Sequence, residues 1–309
     1  MRKHERELGE ELDRLLVFFH CNNRPLPGVA RHADRAAFIE QLVESIRRVK
    51  FVKLLPSAEI SPARADFNDT RFDPLKAAVL KQRDGDLEEA FWLVFLSIHF
   101  GKHLSSGWSL CRAIYAGDGA DGWTWEIVRN DVSGFRNWLD ANGRRLKDED
   151  DQRAFGNHRR YESLDAHSSV GTGEVVETYV QWADPSHENV FSAAIRDSYG
   201  DSEGAFDDLF RSMKAVARFG RLARFDYLAM VEKLRLADIK AGSPYLQGAT
   251  GPMRGARLIF GDVESRIRPS VLNEWVSELA ISLGVGMQEI EDSLCNWQKS
   301  PSEFIAFRG

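Results

Sequence analysis

A glycine-rich segment at 246–256 has the residue types that bind a phosphate group. An apolar run at 258–260 follows it directly. A tight glycine turn between two helical segments exposes backbone N–H groups, and the second helix adds the positive end of its dipole. We therefore predict a phosphate-binding hairpin formed by Gly248, Thr250, Gly251, Arg254 and Arg257.

Five cations precede this hairpin at spacings of three or four residues. Such spacing places their side chains on one side of a helix, which we predict over 204–234. A basic helix face followed by a glycine hairpin is typical of a protein that holds a nucleic-acid backbone, whereas an isolated charged face is usually just solvated. Both interpretations stay open for the five residues, which are Arg211, Lys214, Arg218, Arg221 and Arg224.

The helix predicted over 285–298 carries a carboxylate on its polar side. Its apolar stripe ends at Trp297, and Asp292 and Lys299 lie on the opposite side. A carboxylate held there could act on a substrate, or it could merely face water, which is the usual case for a surface helix. Lys299 adds a cation that could contact DNA.

The segment 157–162 combines aromatic, polar and charged residues, among them His158 and Tyr161. Such a mixture can stack on a base and hydrogen-bond it, or contact phosphates. An internal network of arginine and glutamate residues explains the same composition equally well.

Two other patterns are weaker. His99 and His103 are four residues apart, which on one helix face can hold a metal, but no third ligand is suitably spaced and Lys102 would repel a cation. The glycines at 171–173 are not followed by Gly-Lys-Ser/Thr, so we expect a helix start capped by Thr172 rather than a triphosphate site. We expect no metal and no other cofactor.

The composition bounds the class of protein. With 309 residues, 43% of them hydrophobic, the chain can bury one large core or two packed subdomains. A net charge of −6 argues against a wholly basic surface but allows a local basic patch, because binding depends on the field at the contact. The three cysteines lack a CxxC partner, which excludes a zinc ribbon and fits a reducing compartment.

The chain lacks the sequence features of a secreted or membrane protein. The N-terminus carries charges of both signs, and the apolar stretch at 90–100 is too short to span a bilayer. We therefore expect a soluble cytoplasmic protein, with no membrane contact and no obligate protein partner.

Helical periodicity runs through nearly the whole chain, and alternating β patterns are weak. The sequence therefore predicts an all-α protein. The acidic loop at 148–151 is a candidate boundary. We predict an N-terminal helical extension at 1–70, a helical subdomain at 71–150 and a second helical subdomain at 151–309.

Three stretches, at 219–228, 245–252 and 284–297, resemble the family of alpha-glutamyl/putrescinyl thymine pyrophosphorylase clade 3. The resemblance covers most of the chain, from about Phe72 onward. The family is similar to helix-hairpin-helix DNA glycosylases and is associated with hypermodified phage DNA bases. The resemblance thus implies a helix-hairpin-helix fold of two packed helical subdomains.

The resemblance also implies an activity, which is release of a bulky hypermodified pyrimidine from double-stranded phage DNA as a defence. Glucosylated hydroxymethylcytosine is one such base. Strand-cleaving relatives carry a lysine where this chain has Met253, so we expect a monofunctional glycosylase that leaves an abasic site uncut. His158, Tyr161 and Trp297 are the predicted base pocket.

The catalytic carboxylate is harder to assign from the resemblance. The usual aspartate falls near Val271, which cannot serve. We favour Asp292, which lies in one of the most family-like stretches, with Glu289 as second choice. Other carboxylates also stay possible, namely Asp262, Glu264 and Glu274.

Two alternatives to a glycosylase remain. One is a non-catalytic reader of modified DNA that recruits a partner. The other is a biosynthetic enzyme of thymine hypermodification, as the family's name suggests, although no clear triphosphate or Mg²⁺ motif is present.

Overall fold

The computed structural model describes residues 3–146 and 153–306, and regular secondary structure within these ranges is helical throughout. One isolated antiparallel bridge joins His103 and Gly107. The predicted all-α class is therefore confirmed. In chain order, the fourteen α-helices of the described ranges are α1 (Lys3–Asn22), α2 (His32–Lys53), α3 (Pro74–Arg83), α4 (Leu87–Phe100), α5 (Ser109–Ala116), α6 (Trp125–Asn130), α7 (Val132–Leu146), α8 (Thr172–Trp182), α9 (His187–Asp197), α10 (Ser202–Ser212), α11 (Arg221–Lys233), α12 (Gly251–Ile259), α13 (Pro269–Leu283) and α14 (Met287–Trp297).

Local sequence signals begin and end several of these helices. The Asp73 carboxylate accepts hydrogen bonds from the N–H groups of Leu75 and Lys76 at the start of α3. Asp86 caps α4 in the same way, and α13 ends at Gly284 in the left-handed conformation. Side chains of this kind satisfy backbone groups that a helix end leaves unpaired.

The chain divides into two units. The central unit is Leu54–Lys240, and the terminal unit combines the described residues up to Lys53 with those from Ala241 onward. This division differs from the predicted boundaries at 70/71 and 150/151, and the acidic loop at 148–151 lies outside the described residues. The difference has a physical cause, because the first two helices bury their apolar faces against the last three.

The core of the terminal unit lies where α2 crosses α14. Phe38 and Trp297 meet there edge to face, with ring centroids 5.1 Å apart. Leu16 and Phe19 of α1 are buried in the same cluster. Helices from the two ends of the sequence therefore share one hydrophobic core.

The core of the central unit is built around α4, which is buried along most of its length. The ring of Phe95 stacks on that of Tyr179 from α8, with centroids 3.7 Å apart. Phe95 also stacks on Phe219, and Trp92 lies beside it. Large aromatic side chains thus supply much of the apolar area buried in this unit.

The prediction of one continuous helix over 204–234 is wrong. Helix α10 ends at Ser212, Arg218 has a φ of 60°, and α11 begins only after Gly220. Because α10 and α11 pack against each other, the chain must turn between them. The five cations therefore do not share one helix face.

The prediction that His99 and His103 share a helix face is also wrong. Helix α4 ends at Phe100 because Gly101 has a φ of 65°, and His103 lies in the turn that pairs with Gly107. Among the helices of the described ranges, none is both long and apolar enough to cross a membrane.

Candidate functional site

The glycine segment forms an exposed turn that leads into α12. Gly248 has a φ of 81°, a conformation that favours glycine. The residues before the turn are not α-helical, since α11 ends at Lys233, so the predicted hairpin between two successive helices is not formed. Instead, buried Leu246 anchors the approach, and its N–H donates to the Asn273 side chain at 2.9 Å.

The first turn of α12 contains backbone N–H groups that make no hydrogen bond with the described residues. Thr250 occupies the N-cap position without a side-chain capping bond, and Pro252 has no N–H. The hydrogen bonds of the described residues leave the N–H groups of Gly251 and Met253 unused. Thr250 and Arg254 are both exposed, one helical turn apart. A helix start of this kind is an anion-binding arrangement.

The two later glycines of the segment serve packing. A methyl group at Gly251 would lie 2.7 Å from Sγ of Cys295, and one at Gly255 would collide with the carbonyl oxygen of Leu294. The two positions are four residues apart and thus share the helix face that touches α14. These glycines let the backbones of α12 and α14 approach closely.

Arg257, also predicted to bind DNA, is engaged inside the terminal unit. It forms an ion pair with Asp262 and donates to the carbonyl oxygen of Ile267 at 3.2 Å. Asp262 in turn accepts N–H bonds from Arg266 and Ile267. These contacts hold the loop at 262–267, and they occupy one of the candidate carboxylates.

Asp292 lies at the contact between α14 and α2. Its Oδ2 accepts a hydrogen bond from the Ser45 hydroxyl at 2.7 Å and forms an ion pair with Arg48. Its Oδ1 accepts from the Asn296 amide at 2.9 Å, and Lys299 donates to the same Asn296 side chain. The carboxylate favoured from the sequence is thus hydrogen-bonded on both oxygens.

Glu289 lies in the first turn of α14 and folds back over Gly286, where its carboxylate occupies the space that a Cβ would fill. A negative side chain at this position is stabilised by the helix dipole. Glu264 and Glu274, the remaining carboxylates considered from the sequence, lie on the loop before α13 and in α13 itself.

Trp297 is fully buried in the core of the terminal unit. Its indole N–H donates to the carbonyl oxygens of Asp34 and Pro301. His158 and Tyr161, the other predicted pocket residues, lie on an exposed turn of the central unit, with Tyr161 77% exposed. The three predicted pocket residues are therefore divided between the two units.

The predicted DNA-binding arginines of the central unit have internal contacts. Arg218 pairs with Glu162 at 3.2 Å. Arg224 is buried, donates to the carbonyl oxygen of Phe210 at 2.8 Å, and has a pKa that burial lowers. Arg221 lies over the ring of Phe225, with its Cζ 4.8 Å from the centroid.

The central unit contains a carboxylate that the sequence did not single out. Asp226 of α11 has its Oδ2 3.6 Å from Nη2 of Arg159, whose Nε donates to the Ile98 carbonyl at 2.8 Å. Burial raises the pKa of Asp226, and the charges of Arg159 and Lys233 oppose this. Asp226 lies in the family-like stretch 219–228, but no sequence spacing connects it to Arg159.

A buried network in the same unit is closed to solvent along most of its length. His187 donates from Nδ1 to Glu88 at 2.8 Å, and its Nε2 accepts from the Tyr179 hydroxyl at 2.8 Å. Tyr227 completes the chain, 2.9 Å from Tyr179. Burial lowers the pKa of His187, with the Glu88 charge opposing, so the network holds a neutral imidazole in the core.

His99 joins α4 to the start of α8. Its Nε2 lies 3.0 Å from Thr172 Oγ1, and that hydroxyl donates to the carbonyl oxygen of Ser163. Nε2 therefore carries the proton. A helix begins in the predicted segment, but the predicted cap is wrong, because the N-cap is Gly171 and Thr172 is the first helical residue, used in this network. Across 3–146 and 153–306, no group of three or more metal-ligating side chains is placed to hold an ion.

The fold and these residues define an all-helical protein with an uncapped helix start in one unit and a loosely paired carboxylate in the other. The family model of alpha-glutamyl/putrescinyl thymine pyrophosphorylase clade 3 matches residues 33–309, and the chain belongs to this family. The resemblance predicted from about Phe72 is confirmed and begins earlier. No curated protein and no solved structure matches the chain.

Proposed function

We propose that this protein is a monofunctional DNA glycosylase. It removes a bulky hypermodified pyrimidine, such as glucosylated hydroxymethylcytosine, from double-stranded phage DNA in the cytoplasm as a defence. The observation that carries the proposal is the start of α12, where exposed Thr250 and Arg254 flank unused backbone N–H groups. The family's name, which refers to modified thymine, supports a modified base as the substrate.

The helix start matches what a glycosylase needs from its DNA contact. The target base must leave the stack, and the energy for this comes from contacts to the backbone on either side. A phosphate oxygen at α12 would accept hydrogen bonds from the N–H groups of Gly251 and Met253 and pair with the Arg254 guanidinium. Contacts to phosphates do not depend on the DNA sequence, so the specificity for the modified base would come from the pocket that receives it.

The first turn of α12 also supports base release without strand cleavage. Strand-cleaving glycosylases attack the sugar with an amine. The corresponding side chain here is Met253, which is half-buried and packs against the core of the terminal unit. We expect abasic sites that break only in alkali, and no protein–DNA adduct on borohydride treatment.

The test is incubation of the purified protein with DNA from a phage that carries glucosylated hydroxymethylcytosine, beside unmodified DNA and without added metal. Mass spectrometry measures free base, and alkaline cleavage reveals abasic sites. Release of the modified base alone supports a defence glycosylase. Binding without release from any modified genome contradicts the proposal and favours a reader of modified DNA.

A biosynthetic role is the second candidate, and the family's description favours it. An enzyme that builds a modified thymine would turn over pyrophosphate. Measuring pyrophosphate in the same incubations separates the two functions, because base hydrolysis neither consumes nor releases it.

A further inference from the structure

Asp226 is a carboxylate that the described residues leave without a hydrogen bond. Its side chain is 30% exposed, and its ion pair with Arg159 spans 3.6 Å, which is longer than a hydrogen bond. A partly buried charge without hydrogen bonds weakens the folded state. Charged groups kept in such surroundings are candidates for functional sites.

Two of the other carboxylates considered for catalysis, Asp262 and Asp292, are engaged by the fold. Asp262 accepts backbone N–H bonds and pairs with Arg257. Asp292 is hydrogen-bonded through both oxygens. Both would have to give up internal partners before they could act on water, whereas Asp226 has its oxygens available.

Four cationic or titratable side chains surround Asp226. Arg159 has the largest electrostatic effect, followed by Lys233, His158 and Arg221. Lys233 is buried and the Arg159 side chain is 10% exposed, whereas His158 is exposed. The cluster thus combines one carboxylate with buried positive charges and an exposed imidazole, and the positive field at its exposed edge suits the phosphates beside a nucleotide turned out of the duplex.

The fold holds Arg159 beside the carboxylate. The Nε of Arg159 donates to the carbonyl oxygen of Ile98 near the end of α4. A Cβ at Gly156 would lie 2.8 Å from the backbone of Gly101, so the turn that carries Arg159 is pressed against the chain just after α4. The position of the guanidinium is therefore set by backbone contacts, and Asp226 is fixed on α11.

We propose that Asp226 is the catalytic carboxylate of this protein, acting on the water that replaces the base at C1′ of the flipped nucleotide. This assignment rests on the proposed glycosylase function. His158 and Arg159 border the reacting nucleotide, and Lys233 and Arg221 lie along the same helix as the carboxylate.

The reaction balances as a hydrolysis. The bond from C1′ to the base nitrogen breaks, and its electron pair leaves with the base, which takes a proton from solvent. Positive charge develops on the sugar, where the Asp226 carboxylate stabilises it. The oxygen of water then bonds to C1′ while Asp226 accepts the water's proton and later releases it to solvent.

The decisive variant is Asp226→Asn, measured by single-turnover base release from the modified DNA and by equilibrium DNA binding. We expect the release rate to fall by about 100-fold or more, with binding nearly unchanged and a melting temperature equal to or above that of the wild-type protein. The matched control is Asp238→Asn, an exposed carboxylate of the same unit. Asp226→Glu keeps the carboxylate and should recover part of the rate.

The outcomes separate this assignment from the proposed function. If the wild-type protein releases no base, the glycosylase function fails. If it does release base and Asp226→Asn is as active, only the assignment fails, and loss in Asp292→Asn would then favour Asp292. If Asp226→Asn unfolds, the Asp226→Glu variant decides between a structural and a catalytic role. A structural carboxylate would leave the pH profile of base release unchanged in Asp226→Glu, whereas a catalytic one would shift it.

The pH profile provides a readout that a structural role would not move. Burial raises the pKa of Asp226, so wild-type release should weaken on acidification at a higher pH than for an ordinary aspartate. The side chains whose charges lower the pKa of Asp226, and so shift the acidic side of the pH–rate profile, are Arg159, Lys233, His158 and Arg221. A rate that stays constant across the acidic range would overturn the assignment.

Discussion

Gly255 of α12 lies directly against the carbonyl oxygen of Leu294 on α14, where any side chain would collide with the backbone. The contact joins the two helices at their crossing, and Gly251 lies one turn earlier on the same face, against the side chain of Cys295. This crossing fixes the direction of the α12 start, which is the proposed phosphate contact.

Replacing Gly255 should therefore destabilise the terminal unit. In Gly255→Ala the new methyl group meets backbone, which cannot move aside as a side chain can. We expect a loss of about 2 kcal/mol in the free energy of unfolding. Urea unfolding followed by circular dichroism measures it.

Two matched variants show whether the collision is the cause. Gly251→Ala meets the movable Cys295 side chain and should cost less. Gly143→Ala, in α7 with open space around the position, should be neutral or stabilising, because alanine favours helix. Equal losses in Gly255→Ala and Gly143→Ala would contradict the role of the crossing.

Two arginines on α12 should respond differently to removal. Arg254 is exposed and makes no ion pair with any described residue, so Arg254→Ala should weaken binding to all DNA and lower the slope of log K against log salt by about 1. Fluorescence anisotropy at several salt concentrations measures the slope. A slope equal to that of the wild-type protein would remove the α12 start from the interface.

Arg257 lies on the same helix but pairs with Asp262 inside the terminal unit. Because its loss leaves a buried carboxylate unpaired, Arg257→Ala should lower the melting temperature. Its salt slope should match the wild-type value as long as the protein is folded. A lowered slope with unchanged stability would instead make Arg257 a DNA contact.

Periodicity predicted the helical class, and the glycines at 171–173 indicated a helix there, although the N-cap is Gly171 and not Thr172. These features depend on residues close together in sequence, where spacing determines which side chains share a face. The family-like stretches predicted the family, because they contain long runs of matching residues rather than isolated motifs.

Contacts between distant segments could not be predicted in this way. Asp292 accepts a hydrogen bond from Ser45 and pairs with Arg48, which lie more than 240 residues earlier. The sequence pattern could not show these contacts. The interruption between α10 and α11 was missed because apolar and basic residues keep a helical spacing through the turn. Asp226 was missed because its environment is formed by a turn nearly 70 residues earlier in the chain.

Acidification should lower the free energy of unfolding through protonation of His99 in the unfolded chain. Burial, with the charges of Arg159 and Arg218, lowers the pKa of His99 to about 3 from 6.5. Above pH 6.5 the imidazole is neutral in both the folded and the unfolded state, so its contribution to stability is fully present. Below pH 6.5 the unfolded chain binds a proton that the folded protein does not, and the contribution is lost progressively toward pH 3.

Between pH 7 and pH 4.5, His99 alone should lower the free energy of unfolding by about 2.5 kcal/mol. The comparison variant is His99→Gln, whose amide nitrogen can take the position of Nε2 toward Thr172 and which does not titrate. It should be less stable than the wild-type protein at pH 7, because an amide does not fill the volume of the ring, yet lose less stability on acidification. Urea unfolding at both pH values gives the four free energies, and parallel losses in the two proteins would show that other groups dominate the acid response.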